Sequence, residues 1–357
     1  MSQRDDRLSL WRQDLREIFN RHRVAGAPMN DFSKVLHFLL DAAARGERTA
    51  LVTITDVVGS SPRAPGSHMA ITETGDRVGS VSGGCVEAAV VAEAIRCIKS
   101  GRPEKIRFGQ GSRFIDIRLP CGGGMDLLFT PEPSEDVLAD ALRLHEERSW
   151  LALALDPDGT VALVDQDESE TGWRDGVFFA AHAPRLKLSI FGRGVEVECL
   201  ARLALVSGIE IGVGSPDQSL VESLGSICAE AHHLKTSSGD LGFSIDPQTA
   251  VILLFHDPDW ELDLLDQVLR HPTFFIGAMG SRRTHARRLK DLRLRGFNDL
   301  DLERIIGPVG LIPSARDPQT LALSVLAQVV ACYKTFQLCH RDAPAKERKA
   351  PLNAANI

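Results

Sequence analysis

A cysteine at the start of a helix is the first group in this sequence that could do chemistry. In the segment "SVSGGCVEAAV", Gly83 and Gly84 come directly before Cys85 and an alanine-rich helix. The N–H groups at a helix start carry partial positive charge, so they favour a bound anion or a thiolate. Arg63 and His68 lie upstream and could fold over the same place. The residues leave two interpretations open, a small thiol buried at a tight helix start and an anion-binding loop with a reactive or metal-ligating sulfur.

A second cysteine stands before a run of glycines in "LPCGGGMDLLF". Cys121 is followed by Gly122, Gly123 and Gly124. Glycines allow a backbone to approach a ligand closely, because they carry no side chain. We therefore predict a second ligand-binding loop, with Cys121 as another candidate metal ligand. A tight turn between two strands is the simpler interpretation of the same residues.

A glycine turn in the second half of the chain resembles a dinucleotide site. The segment "GRGVEV" holds Gly192 and Gly194 after a strand and opens a helix, which is the expected context for such a site. The third glycine position is Val197, however, and Glu196 places a carboxylate in the first helical turn. The acid that would hold a ribose is missing unless Asp217 serves. The pattern predicts a Rossmann-like fold and disfavours binding of NAD(P).

A basic segment, "GSRRTHARRLKDLRLRG", offers a second anion site. Ser281 can cap a helix that begins with Arg282 and Arg283, and this arrangement can hold a phosphate. A solvated helix face that includes Arg288 is the ordinary explanation for such a charge run. The loop at residues 255–257 follows a strand and could lie opposite, since open α/β sheets bind ligands at the ends of their strands.

The sequence around these segments predicts an α/β protein whose two halves meet near residues 180–190. In the first half we predict helices over 32–46 and 85–101, a hairpin that turns at 74–76, and strands that include "TALVTITDVVG", "FIDIRLP", "GGMDLLFTP" and "WLALALDPDGTVALV". In the second half strands alternate with helices, which is typical of a doubly wound parallel sheet. Asp317 is expected to cap a closing helix. The predicted units are an N-terminal extension (1–30) with an amphipathic helix, an α/β domain with glycine-rich loops (31–182), a Rossmann-like domain (183–336) and a flexible tail (337–357).

Composition excludes several classes of function. The chain has 357 residues and a net charge of −7, which argues against nucleic-acid binding by bulk electrostatics. No apolar run approaches the about 18 residues that span a bilayer, and the charged N-terminus is unlike a signal peptide. We therefore expect a cytoplasmic protein that does not associate with membranes. The seven cysteines are scattered, so a disulfide framework is not expected.

Several of these motifs together resemble a known family. The segments "GSSPRAPGSHM", "GSVSGGCVEAAV", "PCGGGMDLLF" and "FFIGAMGSRRTHARRL…GPVGLIPSARDPQTLALSVLAQ" are similar to the xanthine dehydrogenase accessory factor (XdhC/CoxI) family, in the family's order and over roughly residues 32–335. The resemblance implies a chaperone, without turnover of its own, that binds the molybdenum cofactor (molybdopterin). It implies that the protein holds the cofactor while a cysteine desulfurase supplies sulfur. It also implies delivery to a molybdenum hydroxylase apoenzyme of the xanthine dehydrogenase type.

The motifs and the resemblance assign no catalytic residue, and they name Cys85 and Cys121 as candidate metal ligands. The residues assigned to cofactor binding are Ser60, Ser61, Arg63, Ser82, Gly83, Gly84, Cys85, Cys121, Gly122, Gly123, Gly192, Gly194, Ser281, Arg282 and Arg283.

The second half departs from the family pattern. Family members usually carry a His after the second glycine of the turn and one or two Asp after the next strand, whereas this chain has Val195, Ser215 and Pro216. The departure leaves three functions open, namely a cofactor chaperone, an NAD(P)-dependent oxidoreductase and a scaffold that docks partners without a ligand. A homodimer is plausible because two-fold contacts are the commonest oligomers.

Overall fold

The computed structural model describes residues 31–59, 61, 63–84, 86–112, 122–164, 170–228 and 230–342. The predictions for the N-terminal extension, the strand "FIDIRLP", Ser60, Cys85, Cys121 and the tail after residue 342 lie outside these ranges. None of the described helices is both long enough and apolar enough to cross a bilayer.

The first half combines helices with two antiparallel sheets. Its elements are α1 (Asp31–Ala44), β1 (Thr49–Val58), β2 (His68–Thr72), β3 (Arg77–Gly79), α2 (Glu87–Ser100), β4 (Glu104–Gly109), β5 (Gly124–Pro131), α3 (Glu135–Glu146), β6 (Leu151–Leu155), β7 (Val161–Val164), β8 (Gly172–Arg174) and β9 (Val177–His182). One sheet has the order β3-β2-β1-β5-β4, and the other has the order β7-β6-β9-β8. The hairpin predicted at 74–76 is confirmed, since β2 and β3 pair antiparallel across it.

Strand β1 is the centre of the larger sheet and is covered on both faces. One face packs against α2, where Ile54, Val90 and Ile98 are buried together. The other face packs against α1, α3 and the smaller sheet, where Leu36 and Leu51 are fully buried. A strand enclosed in this way reads as a continuous apolar run, which is why the sequence "TALVTIT" predicted it correctly.

The second half is a parallel sheet with helices on its faces. Its elements are β10 (Lys187–Gly192), α4 (Val195–Val206), β11 (Glu210–Ser215), α5 (Gln218–Gly225), β12 (Glu230–His233), β13 (Thr249–Leu254), α6 (Pro258–Val268), β14 (Phe275–Ala278), α7 (Arg282–Leu294), α8 (Asp299–Glu303), β15 (Ile305–Ile306) and α9 (Pro318–Asp342). The order β12-β11-β10-β13-β14-β15 is the 3-2-1-4-5-6 order of the Rossmann fold. The predicted fold class is confirmed.

Helix α9 closes the second half as predicted. It begins at Pro318, and the Asp317 carboxylate accepts a hydrogen bond from the Thr320 N–H at 2.7 Å. It continues to Asp342, whereas the sequence predicted a flexible tail from residue 337. The Tyr333 hydroxyl of this helix donates to the Pro184 carbonyl at 2.7 Å, so α9 contacts the connection between the two halves.

Arg148 of the first half forms ion pairs with two acids of the second half. Arg148 follows α3 in a left-handed conformation, with φ of 58°, and its side chain is only 14% exposed. Its guanidinium donates to Asp246 at 2.5 Å and to Glu210 at 2.9 Å, and it also donates to the Arg185 carbonyl. Both acids lie at the amino ends of strands of the second sheet, and the pKa of Asp246 is lowered because Arg148 offsets its desolvation.

We predict that Arg148→Met lowers the free energy of unfolding by about 3–5 kcal/mol, since two part-buried carboxylates lose their shared cation. Chemical denaturation followed by circular dichroism measures the change. Arg143→Met is the matched control, because Arg143 forms its ion pairs with Asp140 and Glu147 on the exposed side of α3; its effect should stay within about 1 kcal/mol. Equal effects in the two variants would contradict a role for Arg148 in joining the halves.

Candidate functional site

The pairing of β1 with β5 brings the two predicted ligand loops side by side. Val58 pairs with Gly124 at the end of β1, so the loop after β1 starts beside the loop before β5. A Cβ built on Gly59 would lie 3.2 Å from the Cα of Gly123. Gly59 and Gly123, which are about sixty residues apart in sequence, are therefore neighbours in the structure.

A cavity of about 350 Å³ lies against the loop between β1 and β2. It lies where the loop between β1 and β2 meets the start of α1, the end of β3 and the end of β9. The lining residues are Phe32, Arg63, Pro65, Gly66, Ser67, His68, Ser80, Ala181 and His182. Arg63 and Ser80 belong to two different sequence motifs, and the fold brings them to the same cavity. Ser61 lies within this loop, where its hydroxyl accepts a hydrogen bond from the Arg63 N–H at 3.3 Å.

The N–H groups at the start of α2 bind a carboxylate of the protein itself, that of Glu87. The Glu87 carboxylate accepts hydrogen bonds from the Ser80 hydroxyl at 2.8 Å and from the Ser82 N–H at 3.0 Å. It also accepts from the Ser82 hydroxyl at 2.5 Å and from the Val86 N–H at 3.2 Å. These bonds, and one from the Gly84 N–H, outweigh the effect of burial and lower the pKa of Glu87 to about 2.

This arrangement corrects the sequence prediction of a free anion-binding helix start. The N–H groups of Ser82, Gly84 and Val86 serve the Glu87 carboxylate, and the Gly83 N–H donates to the Ser80 hydroxyl at 3.1 Å. In this conformation the groups fix the shape of the loop, and they are not available to a ligand. Glu87 is one of the positions at which the sequence resembles the family, but no ligand-binding role was predicted for it, although an acid in the first turn after Ser-Gly-Gly was a usable signal.

Two glycines have open space beside them, although the Gly84 N–H itself is bound to Glu87. Gly84 has φ of 116° and Gly122 has φ of 70°, a region of backbone conformation that favours glycine. A Cβ at either position would meet nothing within 4 Å. The loops next to the predicted positions of Cys85 and Cys121 therefore have room for a ligand to approach the backbone.

His68 and His182 line the cavity, and the buried His145 lies next to Phe32. His68 Nε2 lies 3.0 Å from His182 Nε2, and His68 Nδ1 lies 2.8 Å from the Thr53 hydroxyl. The Phe32 ring stacks on His182, with centroids 3.6 Å apart, and meets His145 edge-on at 5.4 Å. Desolvation lowers the pKa of His68 to about 3 and that of His145 to about 4. These rings are therefore uncharged at neutral pH.

Sequence reasoning identified His68 but missed its partner. His182 is 114 residues further along the chain, and no local pattern marks it. His68 and His182 meet only because β2 and β9, strands of different sheets, lie next to each other, and the sequence does not show that contact. Within the described ranges, no group of three or more His, Cys, Asp or Glu side chains is arranged to hold a metal ion. The prediction of Cys85 and Cys121 as metal ligands falls outside those ranges.

The glycine turn of the second half is shaped by close packing. A Cβ on Gly192 would lie 2.5 Å from the Leu254 carbonyl oxygen and 2.7 Å from Val197 Cγ2, so only glycine fits. Gly194 has φ of 79°, and a Cβ there would lie 3.3 Å from a Glu196 carboxylate oxygen. That carboxylate also lies 3.9 Å from His256 Nε2. A negative charge thus occupies the helix start where a dinucleotide would place its pyrophosphate.

The candidate ribose-binding acid has another role. The Asp217 carboxylate caps α5, where it accepts hydrogen bonds from the Ser219 N–H at 3.0 Å and from the Leu220 N–H at 3.3 Å. These bonds lower the pKa of Asp217. The local structure gives no support to nucleotide binding at this turn.

The basic helix α7 is divided into exposed and buried charges. Ser281 caps it as predicted, because its hydroxyl accepts from the Thr284 N–H at 3.1 Å. Arg282 and Arg283 are exposed. Arg288 is 3% exposed and pairs with the buried Glu261 at 2.7 Å. The prediction that Arg288 lies on the solvated face is wrong, since its guanidinium joins α7 to α6.

We predict that Glu87→Gln destabilises the first half by about 2–3 kcal/mol, because the neutral amide cannot accept every N–H and O–H that converges on the carboxylate. Thermal unfolding followed by circular dichroism measures this. Glu135→Gln is the control, since Glu135 begins α3 in the same way but is exposed. If the two substitutions had equal effects, the Glu87 network would not hold the loop.

Acid should weaken the fold through the buried histidines. The unfolded chain binds a proton at each histidine near pH 6.5, whereas folded His68 and His145 resist protonation down to about pH 3 and about pH 4. The free energy of unfolding should therefore fall as the pH drops below 6.5, by about 1.5 kcal/mol per histidine between pH 6.5 and 5.

Denaturant midpoints at pH 7 and pH 5 measure this dependence. His145→Leu should reduce it, because both His145 ring nitrogens are buried with no hydrogen-bond partner in the described part of the chain. His271→Gln is the exposed control and should leave the pH dependence unchanged. An unchanged pH dependence in His145→Leu would mean that His145 does not contribute to acid sensitivity.

Comparison with known proteins places this arrangement in a family. A sequence model of the XdhC Rossmann domain matches residues 188–329, and a model of the XdhC and CoxI family matches residues 42–109. The molybdenum cofactor insertion chaperone PaoD of Escherichia coli (strain K12) is 36% identical over 302 residues, which cover 85% of this chain and 89% of PaoD. A probable subunit of xanthine dehydrogenase from Bacillus subtilis (strain 168) is 23% identical over 332 residues, which cover 84% of this chain and 97% of that protein.

A solved structure shares the fold. The crystal structure of a xanthine dehydrogenase from Bacillus halodurans superimposes with a TM-score of 0.69 at 23% sequence identity, over 86% of this chain and 96% of that one. Since the family models match within both halves and PaoD aligns along most of the chain, the protein belongs to the XdhC and CoxI family.

Proposed function

We propose that this protein is a molybdenum cofactor chaperone that holds the cofactor in the first half and delivers it to a molybdenum hydroxylase apoenzyme. The observation that carries the proposal is the cavity that the loop between β1 and β2 forms with α1, the end of β3 and the end of β9. The name of PaoD, which aligns over 85% of this chain, supports the same role. We further propose that a cysteine desulfurase acts on the bound cofactor, so that it is delivered in sulfurated form.

The described residues fit the chemistry of this cargo. The cofactor consists of a pterin ring, a dithiolene that binds molybdenum and a phosphate. A cavity of about 350 Å³ is within the range of small-ligand sites. Arg63 is the one charged group among the described residues that line it, and a guanidinium suits a phosphate. Gly84 and Gly122 do not line this cavity, but a Cβ at either would meet nothing within 4 Å, and we propose that the larger metal-bearing part extends toward them.

The role of each part of the chain follows from this placement. Arg63 binds the anionic end, and the aromatic floor at Phe32 and His182 excludes water from one side of the ring. Glu87 does not touch the cargo but fixes the loop next to Cys85. We propose Cys85 and Cys121 as soft ligands that shield the metal, because thiolates suit such centres. In the second half, Glu196 and Val197 argue against an NAD(P)-dependent oxidoreductase, and we assign this half to docking.

The first test measures retention of the cofactor. The purified full chain is mixed anaerobically with molybdenum cofactor and desalted, and the retained pterin and molybdenum are quantified. Near-stoichiometric retention is expected for the wild type, and a loss of about tenfold or more is expected for Arg63→Ala, since a charge-assisted contact is removed. Arg77→Ala is the control, because Arg77 is exposed on β3 away from the lining residues.

The same samples test delivery and the roles of the thiols. Protein loaded with cofactor should activate a xanthine dehydrogenase-type apoenzyme, and activity should rise further when a cysteine desulfurase and cysteine are supplied during loading. Cys85→Ala and Cys121→Ala should lower retained molybdenum more than retained pterin if the sulfurs bind the metal. No retention by the wild type would overturn the chaperone proposal.

A further inference from the structure

A chain of three side chains runs from the core of the first half to the cavity. Thr53 is fully buried in β1, and its hydroxyl lies 2.8 Å from His68 Nδ1. His68 Nε2 lies 3.0 Å from His182 Nε2. His182 is part-buried and lines the cavity. No step of the proposed function above requires these three groups to be hydrogen-bonded in series.

The hydrogen-bond requirements set the direction of the chain. Within the described residues, the Thr53 hydroxyl has no hydrogen-bond partner other than His68. If this hydroxyl accepted from His68, its own buried O–H would be left unpaired, which is costly. Thr53 therefore donates to Nδ1 of His68. His68 then carries its proton on Nε2 and donates to Nε2 of His182, so the proton of His182 is on Nδ1.

The outer end of this chain is an uncharged donor. Burial lowers the pKa of His182 well below its usual value, and the neighbouring His68 and His145 act in the same direction. His182 Nδ1 makes no hydrogen bond with the described part of the chain, and this atom is not fully buried. The N–H group is therefore accessible to a ligand. A neutral N–H donor suits a neutral carbonyl oxygen, whereas an anionic group would prefer Arg63.

We propose that the His182 Nδ1–H donates to a ring carbonyl of a planar heterocycle that lies in this cavity. The acceptor is the oxygen of a 2-amino-4-oxopyrimidine ring fused to a second ring, an edge that pterins and guanine share. The Ser80 hydroxyl on the same lining donates its proton to Glu87, so toward a ligand it can only accept, as from the amino group. The choice of a pterin as the natural ligand rests on the proposed function, whereas recognition of the edge does not.

Two substitutions distinguish the effect of losing the N–H donor from the effect of losing the aromatic ring. His182→Phe keeps an aromatic ring beside Phe32 and removes the N–H, while His182→Asn keeps an N–H close to the position of Nδ1. The probes are pterin followed by its fluorescence, and guanosine and adenosine used as competitors; adenosine lacks the carbonyl. In the full chain we expect pterin affinity to fall about tenfold or more in His182→Phe, as expected for one lost buried hydrogen bond. In His182→Asn it should stay within about threefold of the wild type.

The outcomes distinguish the ligand source. Pterin binding tighter than guanosine supports the cofactor's ring as the ligand, and guanosine binding tighter than pterin supports edge recognition with a nucleotide as the source. Adenosine that competes as well as pterin would overturn the proposal, as would unchanged pterin affinity in a folded His182→Phe. Thermal unfolding establishes that each variant folds. If His182→Phe does not fold, the wild-type comparison of pterin with adenosine and the His182→Asn result decide.

Failure of this inference can be told apart from failure of the chaperone proposal. If the wild type retains molybdenum cofactor but binds pterin and adenosine about equally, the chaperone proposal stands and the His182 donor is rejected. If the wild type binds pterin or guanosine selectively but retains no molybdenum, the His182 donor stands and the chaperone proposal is rejected.

Discussion

The antiparallel pairing of β1 on both of its edges is the constraint on which the site depends. β1 pairs with β2 on one side and with β5 on the other, and its apolar residues are buried from both faces. The loop after β1 is therefore held next to the loop before β5, and the same pairing places His68 opposite Thr53. A shift of one residue in this register would exchange the side chains of β1 between its two differently packed faces and misalign the two loops.

Charge is distributed in the first half so that the cavity and the helix start do not compete for the same groups. Glu87 neutralises the N–H groups at the start of α2, and the histidines beside Phe32 remain uncharged. Arg63 is consequently the dominant charge among the described residues of the cavity lining. Under the proposed function, the anionic group is held at Arg63, and the remainder of the lining contacts uncharged groups. A helix start with free donors would offer a second place to the same anion and weaken this discrimination.

The sequence predicted elements well where the signal was local. The buried run of β1, the hairpin at 74–76 and the cap at Asp317 each follow from a few adjacent residues, and the glycine turn at Gly192 with its strand and helix predicted the parallel sheet. The site was harder to predict because its partners are distant in the chain. His182 reaches His68 only through the meeting of two sheets, and Arg288 is drawn into the interior by Glu261, an acid 27 residues away. The sequence of α7 shows a row of basic residues, but it does not show which of them forms an ion pair with a buried carboxylate.

The position of the Arg148 contacts has a consequence for how the two halves can diverge. Glu210, Asp246 and the Arg185 carbonyl all lie at the amino ends of the parallel strands, while the turns at Gly192 and Ser281 lie at the carboxyl ends. The contacts that attach the halves and the turns that would line a ligand-binding crevice are thus at opposite ends of the parallel strands. Substitutions in the crevice loops can accumulate without loosening the attachment. A fold built in this way can abandon one ligand and acquire another while the first half keeps its own geometry.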